Sequence, residues 1–314
     1  MASTPKLLLV DPLTLLGREL LGMLPDHPRL CTDLKYLHTD ENEEYQIAQI
    51  GGQAALVPPL KSVDDLEGVD VIVVASDRDR SALSRVEEHL DRSPTLVFVE
   101  MGRLARFRSR TRPVAAAIPD ADPPHLRVVH PALVAAARIV EPIAHMSVKG
   151  LFVAAVEPVS VFGREGVESL ARQAVNRLRG ETVEERVDGE VLAFTQLARA
   201  GDLLTADLAA VLPHLDASVS LTLTGSFHGH VAHVALAFAE PVEESEVLEA
   251  WSESAQLQIV DLPLRLDSVV ESDSVNVTAP QLSPGRTALT VTAMVDGLRV
   301  GGASSALEIL EAMV

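Results

Sequence analysis

The sequence predicts an α/β chain in which a parallel, doubly wound sheet is followed by a second, α+β domain. Three observations carry the prediction. The first third alternates short unbroken apolar runs with amphipathic helical patterns, as parallel strands buried on both faces require. From about residue 150 the apolar residues fall into long period-two strands with helices gathered between them. The chain has 314 residues, 47% of them hydrophobic, enough for two domains with a core each.

In order, KLLLV (6–10) reads as a strand, LLGRELLGML (15–24) as an amphipathic helix and LCTDLKYL (30–37) as a second strand. DVIVVAS (70–76) and TLVFVEM (95–101) read as buried strands flanking the helix SALSRVEEHLDR (81–92). The turn-rich PDADPP (119–124) marks a domain boundary. Beyond it come a helix over 132–140, a strand over 150–162 and a helix over 164–180. Two long strands, 217–227 and 230–241, precede a helix at 244–251. Strands at 274–280 and 287–295 and a closing helix at 304–314 complete the reading.

Composition narrows the function classes. The formal net charge of −19 argues against nucleic acid or an anionic membrane as partner. No run approaches the roughly 18 apolar residues of a membrane span, and Asp11 follows the first apolar run too soon for a secretory signal. A cytoplasmic protein is expected. The single cysteine, Cys31, allows neither an internal disulfide nor a cysteine-rich zinc site, and reads as a small buried hydrophobe on the second strand.

Residues 6–24 form the strand, turn and helix that ordinarily open a dinucleotide-binding fold. There, glycines let the backbone approach a pyrophosphate and bring the helix N-terminus to bear on it. The turn here is Asp11-Pro12-Leu13-Thr14-Leu15-Leu16-Gly17, and only Gly17 remains. Asp11 places negative charge where phosphate would sit, and Pro12 removes a backbone donor. After the second strand comes His38-Thr39-Asp40-Glu41-Asn42-Glu43-Glu44, whose carboxylates would repel a 2′-phosphate. One of them could still bond the ribose of NAD, or the run is a solvated charged face. His228, His230 and His233 lie close in sequence, but in a strand 228 and 230 share a face that 233 does not, and no cysteine or suitably spaced carboxylate completes a metal set.

Four motifs occur in an order that resembles the aspartate-semialdehyde dehydrogenase family. Ile118-Pro119-Asp120-Ala121-Asp122 resembles its Val-Pro-Glu-Val-Asn. Ser160-Val161-Phe162-Gly163 with Gly166-Val167-Glu168 resembles its Ser-Gly-Ala-Gly-x-x-Gly-x-Glu. Gly229-His230 resembles its Gly-His-Ser, and Asp296-Gly297-Leu298-Arg299-Val300-Gly301-Gly302-Ala303 its Asp-Asn-Leu-Arg-Lys-Gly-Ala-Ala. The resemblance spans nearly the whole chain and is nearest to the Usg-type branch. It implies a Rossmann-like domain over 1–125, completed by the C-terminal helix 303–314. It also implies an α+β dimerisation domain over 126–302, of the glyceraldehyde-phosphate-dehydrogenase type.

The family's reaction uses a cysteine thiolate, an acid/base histidine, an orienting glutamine and basic residues for carboxylate and phosphate. By this resemblance His230 matches the histidine, Glu157 stands at the glutamine, and Arg108 corresponds to a substrate-binding arginine. The nucleophile position falls on Leu133 or on Pro131, depending on which proline anchors the match, and neither side chain attacks an acyl carbon. Leu223 and Val300 replace an arginine and a lysine. The cofactor loop survives as Gly17 with Asp11, Pro12 and Thr14, so NAD or NADP is implied by resemblance and not by the residues. Family members dimerise through the second domain, which implies a homodimer. Three functions stay open: a non-catalytic binding or scaffold protein, alone or paired with an active relative; a semialdehyde dehydrogenase with altered chemistry; or a thiol-free small-molecule site built on Glu157, His230 and Arg108.

Overall fold

The computed structural model describes residues 5–30, 33–50, 53–115 and 125–313. The chain forms two compact units, one of residues 1–129 with 301–314 and the other of residues 130–300.

In the first unit β1 (Lys6–Val10) leads through a turn into α1 (Leu15–Met23). β2 (Asp33–Leu37), the hairpin β3 (Gln46–Ile50) and β4 (Gln53–Val57), and β5 (Val71–Val74) follow. α2 (Ser84–Arg92), β6 (Val97–Glu100), β7 (Arg112–Val114) and β8 (His125–Val128) complete it, with a C-terminal helix returning from the chain end. Six strands pair in the order β2-β1-β5-β6-β8-β7, all parallel. Leu7 to Val10 and Val71 to Val74 are fully buried, as strands covered on both faces must be. Leu83, Val86 and Leu90 of the α2 region pack with Leu8, Ile72 and Phe98 in one cluster. The order β2-β1-β5 puts a reversal of strand order at the carboxyl end of β1, where open α/β sheets place their ligands.

The second unit opens with α3 (Pro131–Val140), followed by β9 (Val148–Glu157), α4 (Gly163–Leu178), β10 (Gln196–Arg199) and α5 (Asp202–Val211). β11 (Asp216–Thr224), β12 (His230–Phe238), α6 (Glu244–Ser252), β13 (Leu257–Ile259), β14 (Val275–Val277), β15 (Gln281–Leu282) and β16 (Ala288–Val295) follow, and α7 (Ala303–Met313) ends the chain in the first unit. The mixed sheet runs β10-β11-β9-β12-β16-β14-β13, with β15 on β16. One of its faces carries Val219, Val153, Val234 and Val291 in a single row, all buried. α3 packs on β9, β12 and β16, which accounts for its almost wholly apolar sequence. The Trp251 indole of α6 donates to the Ile139 carbonyl at 3.0 Å and anchors α6 to the end of α3.

The fold class is as the sequence predicts, and the expected elements appear with ends displaced by a few residues. The strand expected over 150–162 ends at Glu157, because Pro158 has no N–H for the ladder and residues Val159–Phe162 turn into a short 3₁₀ helix. The β3–β4 hairpin, the strands β7, β8, β10, β13 and β15 and the helix α5 are absent from the sequence reading; the strands are too short for period two to register, and α5 spreads its apolar residues around its circumference. Cys31 and the PDADPP segment lie outside the described residues.

Glu100 is fully buried at the end of β6. Its Oε1 accepts from the Leu104 N–H at 3.2 Å, and burial pushes its carboxyl up to about 7 against a partial pull from Leu104, Arg103 and Arg127. The folded state therefore holds a proton that the unfolded chain releases above about 4.5, so this group's contribution is complete in acid and is lost as pH rises toward 7. Glu100→Gln is expected to flatten that part of the stability profile and to stabilise the protein at pH 8 by on the order of 3 kcal/mol. Denaturant titrations of both proteins at pH 5, 6.5 and 8 measure it; an unchanged difference across the three would contradict the assignment.

Candidate functional site

The turn after β1 is held by Asp11, which is buried with φ 60°. Its Oδ1 accepts from the Thr39 N–H and its Oδ2 from the Thr39 hydroxyl, both at 2.7 Å, and Oδ2 also accepts from the Ser76 hydroxyl. Thr39 follows β2 and Ser76 follows β5, so one carboxylate joins the carboxyl ends of three neighbouring strands. Thr14 caps α1, accepting from the Gly17 N–H at 3.0 Å while its hydroxyl lies 2.7 Å from the Ala75 carbonyl. Gly17 packs on the turn so closely that a Cβ there would stand 2.4 Å from the Asp11 carbonyl. The surviving glycine thus serves helix–turn packing. To a phosphate the turn offers a carboxylate, and a proline in place of a donor. Beside it His38 is buried, its Nδ1 accepting from the Asp40 N–H at 3.2 Å, and burial holds its imidazole below the ordinary value. Asp77 is pushed above the usual carboxylate range by burial.

The second cluster lies at one end of the mixed sheet. Glu157 is the last residue of β9 and His230 the first of the adjacent β12. His130 caps α3, which packs on both strands. The His130 Nδ1 accepts from the Ala132 N–H at 3.2 Å, so the proton of the neutral ring sits on Nε2, which donates to Glu157 Oε2 at 3.2 Å. The His130 and His230 rings meet edge to face at 5.0 Å between centroids. Both histidines are only 3% exposed. Over His230 lies Gly297, where a Cβ would stand 2.2 Å from His230 Nδ1 and 3.0 Å from Pro131 Cγ. Asp296 holds that loop by accepting from the Glu271 and Leu298 N–H groups. The structure thus joins Glu157 and His230 through His130, a residue that sequence reasoning passed over. A histidine directly before a helix-opening proline was the available signal, because Pro favours the first helical position and the residue before it can cap. An imidazole bonded to a carboxylate can accept and give up a proton.

Pro131 and Leu133 are both buried in the first turn of α3. Leu223 sits in an apolar cluster with Val159, Leu170 and Leu192, and Val300 is fully buried. Arg108 is half-buried in the first unit, after the short 3₁₀ turn Ala105–Phe107. His228 lies in the bend before β12 and not on the strand, while His233 faces away from His230 and is exposed. Among the described residues no group of three or more His, Cys, Asp or Glu is placed to hold a metal ion.

The packing of Gly297 on His230 makes a clear demand. Gly297→Ala should displace His230 or the 296–300 loop and lower stability by roughly 1–3 kcal/mol. A melting temperature within 1 °C of the parent, which corresponds to well under about 0.5 kcal/mol, would show that the contact is slack.

No family model matches the chain. A USG-1 protein homolog from Azotobacter vinelandii is 27% identical over 181 residues, spanning 52% of this chain and about half, 54%, of that relative. A probable aspartate-semialdehyde dehydrogenase from Pseudomonas aeruginosa superimposes with a TM-score of 0.85 at 20% identity, over 99% of this chain and 98% of the other. An aspartate semialdehyde dehydrogenase from Candida albicans, solved with NADP, superimposes with a TM-score of 0.71 at 12% identity over 99% and 98%. The chain therefore has the fold of the aspartate-semialdehyde dehydrogenases throughout, and over about half its length its sequence is similar to a USG-1 protein homolog.

Proposed function

We propose that this protein is a non-catalytic homologue of the aspartate-semialdehyde dehydrogenases, a cytoplasmic binding or scaffold protein that carries neither their thioester chemistry nor their cofactor. The observation that supports this best is at the start of α3, where Pro131 and Leu133 are buried at the nucleophile position. Asp11 adds to it, since its carboxylate is already engaged by Thr39 and Ser76 where a pyrophosphate would approach. The chain should show no phosphate-dependent reduction of NADP with aspartate semialdehyde. Leu133→Cys alone should not restore it, because the groups of such a site act as a unit. Calorimetric titration with NAD and NADP should give no dissociation constant below about 1 mM. Tight binding of either, or wild-type turnover, would overturn the reading; turnover abolished by Cys31→Ser would place the lone thiol in the site.

The proposed working form is a homodimer, and association with an active relative would use the same surface. The face of the mixed sheet opposite α3 carries rows such as Ser218-Phe152-Ala235-Thr290 and Ser220-Ala154-His233-Thr292. Neither row has a formally charged side chain, in a sequence that is 23% charged, and Phe152 is 44% exposed. These uncharged rows let two copies of a chain with net charge −19 approach where repulsion is least. Analytical ultracentrifugation at micromolar concentration should find a dimer, and Thr290→Glu should dissociate it without unfolding. A wild-type monomer would remove this part of the proposal.

One observation favours a second reading. The buried His130–Glu157 hydrogen bond with His230 against it is an acid/base pair that needs no thiol. A small-molecule turnover that survives Cys31→Ser and is lost in His130→Asn would select it.

A further inference from the structure

The β3–β4 hairpin forms a two-stranded sheet of its own, separate from the six-stranded sheet of its unit. Its strands pair Ile47 with Leu56 and Ala48 with Ala55, and paired residues share a face. Ala48 and Val57 are buried and seat the inner face. The outer face turns the other way: Ile47 is 72% and Leu56 65% exposed, directly opposite each other, with Tyr45 56% exposed in line with Ile47. Single exposed apolar residues need no explanation, but a cross-strand pair extended by an aromatic is a patch. A two-stranded ribbon is marginal by itself in water, so exposing its largest apolar side chains is costly unless something covers them.

Charge identifies the kind of cover. No residue from Tyr45 to Leu60 is charged, whereas Asp40, Glu41, Glu43 and Glu44 directly precede Tyr45. Arg80 and Arg85 lie 3.5 Å from Asp40 and Glu41, but Glu43 and Glu44 are exposed and form no ion pair among the described residues. The patch is thus apolar, with exposed carboxylates next to its Tyr45 end, on a strongly acidic chain. A second copy would bring another net charge of −19 and the same carboxylates. The ribbon is about 10 Å across, from the strand spacing and side-chain reach, close to the diameter of a helix.

We propose that the outer face of this hairpin is a docking surface for an amphipathic, basic helix of another protein, with apolar residues laid along Tyr45, Ile47 and Leu56 and Lys or Arg toward Glu43 and Glu44. The surface is distinct from the uncharged sheet rows assigned to the dimer, and the inference does not rest on the catalytic reading.

The test uses the full chain and an 18-residue Leu/Lys amphipathic helical peptide, with a Leu/Glu peptide and a Lys/Ser peptide of the same length as controls. Fluorescence anisotropy should show binding of the Leu/Lys peptide alone. Ile47→Ser/Leu56→Ser should weaken it at least tenfold and Glu43→Gln/Glu44→Gln at least threefold. A photo-crosslinker on a peptide leucine should label residues 45–57 of the wild-type protein, a readout that holds even if the serine variant fails to fold. Equal binding of the Lys/Ser peptide, unchanged affinity in the folded serine variant, labelling elsewhere, or self-association that depends on Ile47 and Leu56 would each overturn the proposal.

Discussion

The carboxylate of Asp11 is the contact on which the first unit's ligand-binding edge depends. Parallel strands end with their backbone groups and following residues pointing into one crevice, and in dinucleotide-binding folds a ligand's phosphates satisfy what gathers there. Here Thr39 and Ser76 donate to a side chain of the protein itself. The contact costs a left-handed backbone at a non-glycine residue, φ 60°, which Asp tolerates better than most. It is repaid by charge-assisted hydrogen bonds in a buried place. These bonds tie together the ends of three neighbouring strands.

The second unit repeats this logic. His130, Glu157 and His230 come from a helix cap and two adjacent strands, and they bond or stack on one another. Gly297 then closes over His230, which explains why the loop after β16 carries glycine: any side chain would collide with the ring. At both places buried polar side chains from separate elements are brought into contact with one another.

Charge is distributed with equal consequence. A net −19 spread evenly would oppose every association with an acidic or identical partner. It is not spread evenly. Two central rows of the open face of the mixed sheet and the outer face of the β3–β4 hairpin carry no formally charged side chain, and they differ in their surroundings. The first is formed of Ser, Thr and Ala with Phe152 and His233 among them; the second is a narrow apolar ribbon that follows a run of carboxylates.

The sequence by itself determined the fold class. Uninterrupted apolar strands such as Leu7 to Val10 and Val71 to Val74 have no stable home except a sheet covered on both faces, and alternating strands such as 230–238 require one buried and one open face. The loss of glycines around Asp11 and the apolar residues at 131 and 133 were equally legible, because they are statements about which atoms exist. Short elements were not: the hairpin at 46–57 has few residues over which period two can be recognised. What only the tertiary structure decided is proximity. Nothing in the spacing of residues 130, 157 and 230 says that a helix cap and two strand ends converge, and nothing in Asp11 says that Thr39 and Ser76 are its partners. Such contacts are set by strand order and register across scores of residues, which local periodicity does not encode.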